Sequence, residues 1–175
     1  MSNESCEYPF CRQDIFSSLK QLRDHTAPSL SDLTLKCLAE QIPQGEVPEV
    51  LALVTKALVD GHKITVSPKS RGFFEPRRGT IVLLTDTGLW LLFIGTKPFP
   101  AFLHKKQNRA INLQGFEREA ICRVAQINRL SIEITFNDTR LVKLKNNWMS
   151  TRKVILGIDV LRRAIEENTS SVSDS

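Results

Sequence analysis

Two basic segments of the chain interleave cations with aromatic side chains, and these are the residues best suited to binding an anion. Cations beside aromatic rings suit an anionic lipid headgroup with shallow insertion, or a strand of nucleic acid. A solvated loop surface is the plainer interpretation of either segment. The candidate binding residues are Lys69, Arg71, Phe73, Phe74, Arg77, Arg78, Lys97, Phe99, Phe102, His104, Lys105, Lys106 and Arg109.

Catalytic chemistry has little support in the sequence. It contains no Gly-rich phosphate loop, no HExxH, no GxSxG and no CxxC pair. Glu117 and Glu119 would share one face of a strand, as a glycosidase pair might, but an exposed charged edge explains them better. His104 is an acid–base candidate, although its two lysine neighbours indicate a solvated loop. We therefore expect a protein that is not an enzyme.

The four cysteines, at positions 6, 11, 37 and 122, do not predict a metal site or a disulfide framework. Zinc would need two further ligands near Cys6 and Cys11, and the three histidines are scattered. We expect free thiols and no cofactor. Cys122 lies in an apolar pattern and is expected to be shielded, whereas Cys6 and Cys11 lie on a polar tail and should react readily.

Charge is divided unevenly along the 175 residues. Residues 1–60 hold five Lys or Arg and nine Asp or Glu, a net charge of −4, whereas the remainder carries +9. The basic part favours anionic partners through long-range steering. The sequence has no secretory signal and no apolar run long enough to cross a membrane. These features predict a cytoplasmic protein, with peripheral contact at the inner membrane face as an option.

The first 61 residues predict a helical accessory segment with about three short helices. Residues 1–11 have no periodicity and are expected to be disordered, and Ser31 is expected to cap the second helix. The third helix is predicted from Pro48 to Asp60 on an apolar stripe and on proline in its first turn. Such helices would pack on the rest of the chain or on a second copy, which would give a homo-oligomer.

A β-rich domain is predicted for residues 62–168. Two apolar runs on either side of Thr85–Gly88 predict a core hairpin. Apolar and polar residues alternate in 130–136 and in 140–145, which predicts a second hairpin. Further strands are expected at 62–67, 110–113 and 120–125. A helix capped by Ser150 or Thr151 and ending near Glu167 should bury an apolar stripe, and residues 169–175 form a disordered tail. The stripe includes Ile155, Ile158, Leu161 and Ile165.

Residues from about 75 to 167 resemble the pleckstrin-homology superfold, and in particular bacterial PH-like and GRAM-like domains. The resemblance rests on Arg78-Gly79 followed by TIVLLTDTGLWLLF, on FEREAICRVAQI, on SIEITFNDTRLVKL and on the closing helix from Trp148 to Ile165. It implies an α+β fold in which six or seven antiparallel strands form a barrel closed by the C-terminal helix. PH domains that hold inositol phosphates place cations on the first two strands, and Ile81–Ile94 has none.

The sequence favours a binding or scaffolding module. A PH-like sheet can take a protein or peptide partner along an edge beside its terminal helix. Peripheral contact with anionic membranes through the basic segments is the alternative. Nucleic-acid binding is less favoured, because the predicted third helix offers only Lys56 to bases and phosphates.

Overall fold

A computed structural model describes residues 12–59, 80–95, 110–146 and 152–172 of the chain. The predictions for the N-terminal tail, the strand at 62–67 and the cap at Ser150 or Thr151 lie outside these residues, as do residues 173–175 of the predicted C-terminal tail. The disorder predicted for residues 169–172 is wrong, because these residues continue the C-terminal helix. The described chain forms α1 (Arg12–Thr26), α2 (Asp32–Gln41), β1 (Pro48–Val54), β2 (Lys56–Val59), β3 (Thr80–Thr85), β4 (Gly88–Gly95), β5 (Ala110–Glu117), a 3-10 turn (Arg118–Ala120), β6 (Ile121–Asn128), β7 (Ser131–Phe136), β8 (Leu141–Lys145) and α3 (Arg152–Val172).

The strands form two four-stranded antiparallel sheets. Sheet A has the order β1-β3-β4-β5, and sheet B has the order β2-β8-β7-β6. Thr55 separates β1 from β2, so consecutive strands at this point belong to different sheets. The α+β class, the antiparallel strands and the C-terminal helix are thus confirmed. The predicted closure into a barrel is not, because the described β5 and β6 are not paired with each other.

The predicted third helix is wrong, since Pro48–Val59 forms β1 and β2. Val50, Ala52 and Val54 face the core between the sheets, whereas Leu51 and Leu53 face the N-terminal helices. A strand buried on both faces is apolar without alternation, so the periodicity of its sequence does not distinguish it from a buried helix. These strands belong to the two sheets although they precede residue 61.

The predicted core hairpin is confirmed as β3 and β4. Leu84 pairs with Leu89 across the turn, and every residue of β3 is buried. Val82 and Leu84 pack between the sheets, and Ile81 and Leu83 pack against the helical layer. The hairpin is therefore the central layer of the described structure.

Sheet B contains the second predicted hairpin. Ile134 pairs with Val142 and both side chains are buried. Leu141, which was expected inside, is half-buried on the opposite face of β8. Thr139, in the turn, has a φ of 69°, the left-handed conformation that hairpin loops of this length commonly use.

Helices α1 and α2 cover the face of sheet A that lies away from sheet B. Ile15 and Leu19 of α1 and Leu38 of α2 belong to the same apolar cluster as the outward-facing residues of β1 and β3. Ser31 caps α2 as predicted, because its side chain accepts a hydrogen bond from the Thr34 N–H at 3.2 Å. Of the two partners expected for the helices, the structure shows docking on the sheet.

Helix α3 packs against β1, β6 and β7 and contributes to the core between the sheets. Ile158, Leu161 and Ile165 are buried as predicted, whereas the side chain of Ile155 lies outside the described set. Gly157 allows close contact with β1, since a Cβ there would lie 3.4 Å from the Cβ of Ala52. The helix ends at Val172, beyond the predicted Glu167.

We predict that Leu161→Asp lowers the free energy of unfolding by about 3–5 kcal/mol, because it loses buried packing and leaves a carboxylate in an apolar core. The adjacent Val160 is 40% exposed, so Val160→Asp serves as the control and should cost about 1 kcal/mol or less. Urea denaturation of both variants measures the difference. Equal stabilities would contradict the packing of α3 described above.

Candidate functional site

Among the described strands, β6 has a neighbour on one side only. It pairs with β7 on one side and stands last in sheet B, so the described residues leave its other side unpaired. We call this outward backbone edge the β6 edge. The flanking side chains are accessible, and Ile127 is 54% exposed. Unpaired strand edges expose N–H and C=O groups that can pair with another extended chain.

Two irregularities delimit the part of β6 that can accept a strand. The register with β7 shifts between Ile121 and Arg123 and again between Gln126 and Asn128. Bulges of this kind bend an edge strand and interrupt its pairing. The regular stretch is therefore Arg123–Gln126, which limits a partner to a short ladder.

Side chains along this stretch alternate between two environments. Val124 lies opposite the buried Ile134 and packs on the core between the sheets. Arg123 lies opposite Thr135, and Ala125 lies opposite Glu133, on the other face of sheet B. A strand added at the β6 edge would thus meet an apolar surface on one face and a polar surface on the other.

Cys122 lies at the first bulge and is exposed, so the prediction that it is shielded is wrong. Its Sγ lies 3.3 Å from the carbonyl oxygen of Thr135. Cys122 is the extra residue of this bulge, so it does not follow the alternation of inward and outward side chains on which the prediction relied. Cys37 is half-buried, and both cysteines within the described ranges are free thiols.

Arg118 fixes the position of α3 relative to the sheets. Its side chain is 8% exposed and donates to the Glu49 carboxylate at 2.6 Å. It also donates to the carbonyl of Thr85 at 2.7 Å and to that of Ala164 at 3.0 Å. Because a buried guanidinium is costly without such partners, the contacts hold β1, β3 and α3 together. The helix beside β6 is therefore firmly anchored.

A second polar cluster secures the start of β1 to the β3–β4 turn. Glu46 Oε2 accepts hydrogen bonds from the Thr85 hydroxyl at 2.6 Å and from the Trp90 Nε1–H at 2.7 Å. Asp86 accepts from the Val47 N–H at 2.9 Å. These carboxylates are engaged in local hydrogen bonds, so the cluster has a structural role.

The predicted carboxylate pair does not form a shared strand face. Glu117 ends β5, whereas Glu119 lies in the 3-10 turn that follows. Both side chains are exposed. The shared strand face is wrong, because the 3-10 turn breaks the alternation after Glu117. The exposure of both side chains agrees with the preferred interpretation, exposed charges and not a glycosidase pair.

Perturbed carboxyl pKa values occur in the β7–β8 turn and in the first turn of α2, and not on β6. The Arg140 backbone N–H donates to Asp138 and holds the pKa of that carboxyl below its usual value. Hydrogen bonding with Arg23 likewise lowers the pKa of Asp32. Local hydrogen bonds explain both shifts, so neither indicates a reactive group.

All thirteen candidate residues of the basic segments lie outside the described residues. Three of the four strand ends that flank these segments are nevertheless close together. Thr80, which follows the first segment, pairs with Phe93, and Gly95 and Ala110, which flank the second, pair with each other. These three attachments thus meet at one end of sheet A, whereas Val59, which precedes the first segment, ends β2 in sheet B.

Sequence reasoning missed the β6 edge, because alternation of apolar and polar residues identifies a strand but not its place in a sheet.

Within the described ranges, no helix is both long and apolar enough to cross a membrane. The same ranges hold no cluster of three or more His, Cys, Asp or Glu side chains suited to a metal ion.

Comparisons with models of known protein families and with curated proteins found no match.

We predict that Arg118→Met lowers the free energy of unfolding by about 2–4 kcal/mol, because it leaves buried carbonyl groups and Glu49 without their donor. Arg163→Met, on the exposed side of α3, is the matched control and should change stability by about 0.5 kcal/mol or less. Chemical denaturation compares the two variants. If they were equally stable, Arg118 would not be the anchor of α3.

Proposed function

We propose that this chain is a non-enzymatic binding module that takes an extended protein or peptide segment along the β6 edge. The observation that carries the proposal is the unpaired edge at Arg123–Gln126, beside the anchored helix α3. Main-chain hydrogen bonds supply affinity in this mode, and the alternating side-chain surfaces supply selectivity.

The fold that we propose is PH-like. Consecutive antiparallel strands, two sheets joined at Thr55 and one closing helix support this assignment. In such a fold the terminal helix lies beside a sheet edge, as α3 lies beside β6. A cytoplasmic location and the absence of enzymatic activity belong to the same proposal.

Proline substitution in β6 tests the strand-addition mode. Successive N–H groups of a strand point to opposite edges, so Ala125→Pro and Gln126→Pro differ in the edge that loses a donor. The variant that retains the parental melting temperature is the one that removes an outward N–H. Glu40→Gln, on the exposed side of α2, provides a control remote from β6.

The measurement is selection of binders from a random 12-residue peptide library displayed on phage, with the full chain as the target. We expect selected peptides to bind the parent and the Glu40→Gln control, and to lose most of their affinity for the stable proline variant. Amide exchange in residues 123–126 should slow when a selected peptide is present. Peptides that bind all three proteins equally would show that β6 is not the site.

A second candidate function, contact with anionic membranes, is supported by the position of Thr80, Gly95 and Ala110, three of the four strand ends that flank the basic segments, at one end of sheet A. We propose that such contact is diffuse, which means that it depends on total lipid charge and not on one headgroup. The core hairpin Ile81–Ile94 carries no Lys or Arg that could donate paired hydrogen bonds to one phosphate.

We predict that binding to vesicles containing anionic lipid falls steeply with salt, and that the double charge reversal of Lys105 and Lys106 to Glu weakens it. Vesicle sedimentation across a salt series measures both effects, with Lys20→Glu on α1 as the control. Saturable micromolar binding of one soluble inositol phosphate isomer would instead demonstrate a formed pocket and contradict diffuse binding.

A further inference from the structure

The outer face of sheet B carries an unusual arrangement of lysines. Lys56 and Lys145 lie directly opposite each other on the adjacent strands β2 and β8, and both are exposed. Lys143 lies two residues from Lys145 on the same face. We call these three residues the lysine face.

Like charges directly opposite on neighbouring strands destabilise a sheet. Lys143 is compensated by Glu133, whose carboxylate lies 3.2 Å from its Nζ. Neither Lys56 nor Lys145 has an ion pair within the part of the chain that the structure describes. The pair therefore leaves positive charge on this face that an anionic partner would neutralise.

The lysine face is continuous with the β6 edge. One row of side chains crosses sheet B from Lys143 through Glu133 to Ala125, and Arg123 lies exposed on the same face of β6. Three strand spacings, about 14 Å, separate Lys143 from a strand added at the β6 edge. About five extended residues span this distance.

We propose that the segment bound at the β6 edge belongs to an acidic protein, and that its acidic flank crosses the outer face of sheet B to the lysine face. This inference rests on the proposed function and adds the chemical class of the partner. An acidic side chain opposite Arg123 begins the contact, and further carboxylates in the flank reach Lys145 on β8, with Lys56 opposite it on β2.

The composition of the face favours a protein over a nucleic acid. Leu58 and Leu141 are half-buried beside the lysines and offer apolar contacts. The described residues of this face include no aromatic side chain on which unpaired bases could stack. Continuity with a strand site also favours a polypeptide, because lipid and nucleic acid cannot extend a β-ladder.

The variant Lys145→Glu separates binding from stability. It places a carboxylate opposite Lys56 and so replaces a repulsive cross-strand pair with an attractive one. The melting temperature should therefore stay the same or rise. Affinity for acidic peptides should fall roughly fivefold or more, because an attraction becomes a repulsion.

The probes are synthetic 14-residue peptides with a central alternating valine–threonine strand and a flank of four aspartates, together with versions in which the flank is asparagine or lysine. We expect the aspartate version to bind the parent best. Both Lys145→Glu and the stable β6 proline variant should weaken its binding. Lys36→Glu, on α2 and away from sheet B, should leave its binding unchanged.

The contrary results separate failure of this inference from failure of the proposed function. Equal binding of the three peptides, with loss in the β6 proline variant, would retain the proposed function and overturn the acidic-partner inference. Aspartate-dependent binding that survives the proline substitution would overturn both, since the lysine face would then act without β6. Equal competition by single-stranded DNA or by anionic vesicles would show a general polyanion surface and also overturn the inference. Absence of binding by all three peptides would overturn both.

Discussion

The buried guanidinium of Arg118 is the contact on which the arrangement of the described chain depends. It joins Glu49 at the start of β1, the end of β3 and the C-terminal half of α3. A cation at this depth requires several acceptors, and those acceptors come from elements that are far apart in sequence. Their relative positions are consequently fixed together, and with them the place of α3 beside β6.

The bent passage from β1 to β2 explains why the two sheets share one core. Thr55 separates a strand of sheet A from a strand of sheet B, and its N–H donates a hydrogen bond to Asn146 Oδ1 at 3.3 Å. Sheet A is then covered on one face by sheet B with α3 and on the other by α1 and α2. Sheet A is therefore buried on both faces, whereas no element within the described ranges covers the outer face of sheet B.

The two features proposed for binding carry a physical cost. An unpaired edge exposes the chain to unwanted strand pairing, and the bulges at either end of Arg123–Gln126 restrict that pairing to a short stretch. The opposed lysines Lys56 and Lys145 cost stability in the free protein. Both features gain a physical explanation if an acidic extended partner binds across sheet B.

The sequence by itself determined the elements whose signals are local. The β3–β4 hairpin, the alternating β7 and β8, the Ser31 cap and the stripe of α3 follow from turn residues and side-chain periodicity. Tertiary structure alone decided that Pro48–Val59 is extended, because burial on both faces removes the alternation that marks a strand. It also decided that β6 lies at an edge and that Lys56 faces Lys145, since strand order and register arise from pairing between residues distant in sequence.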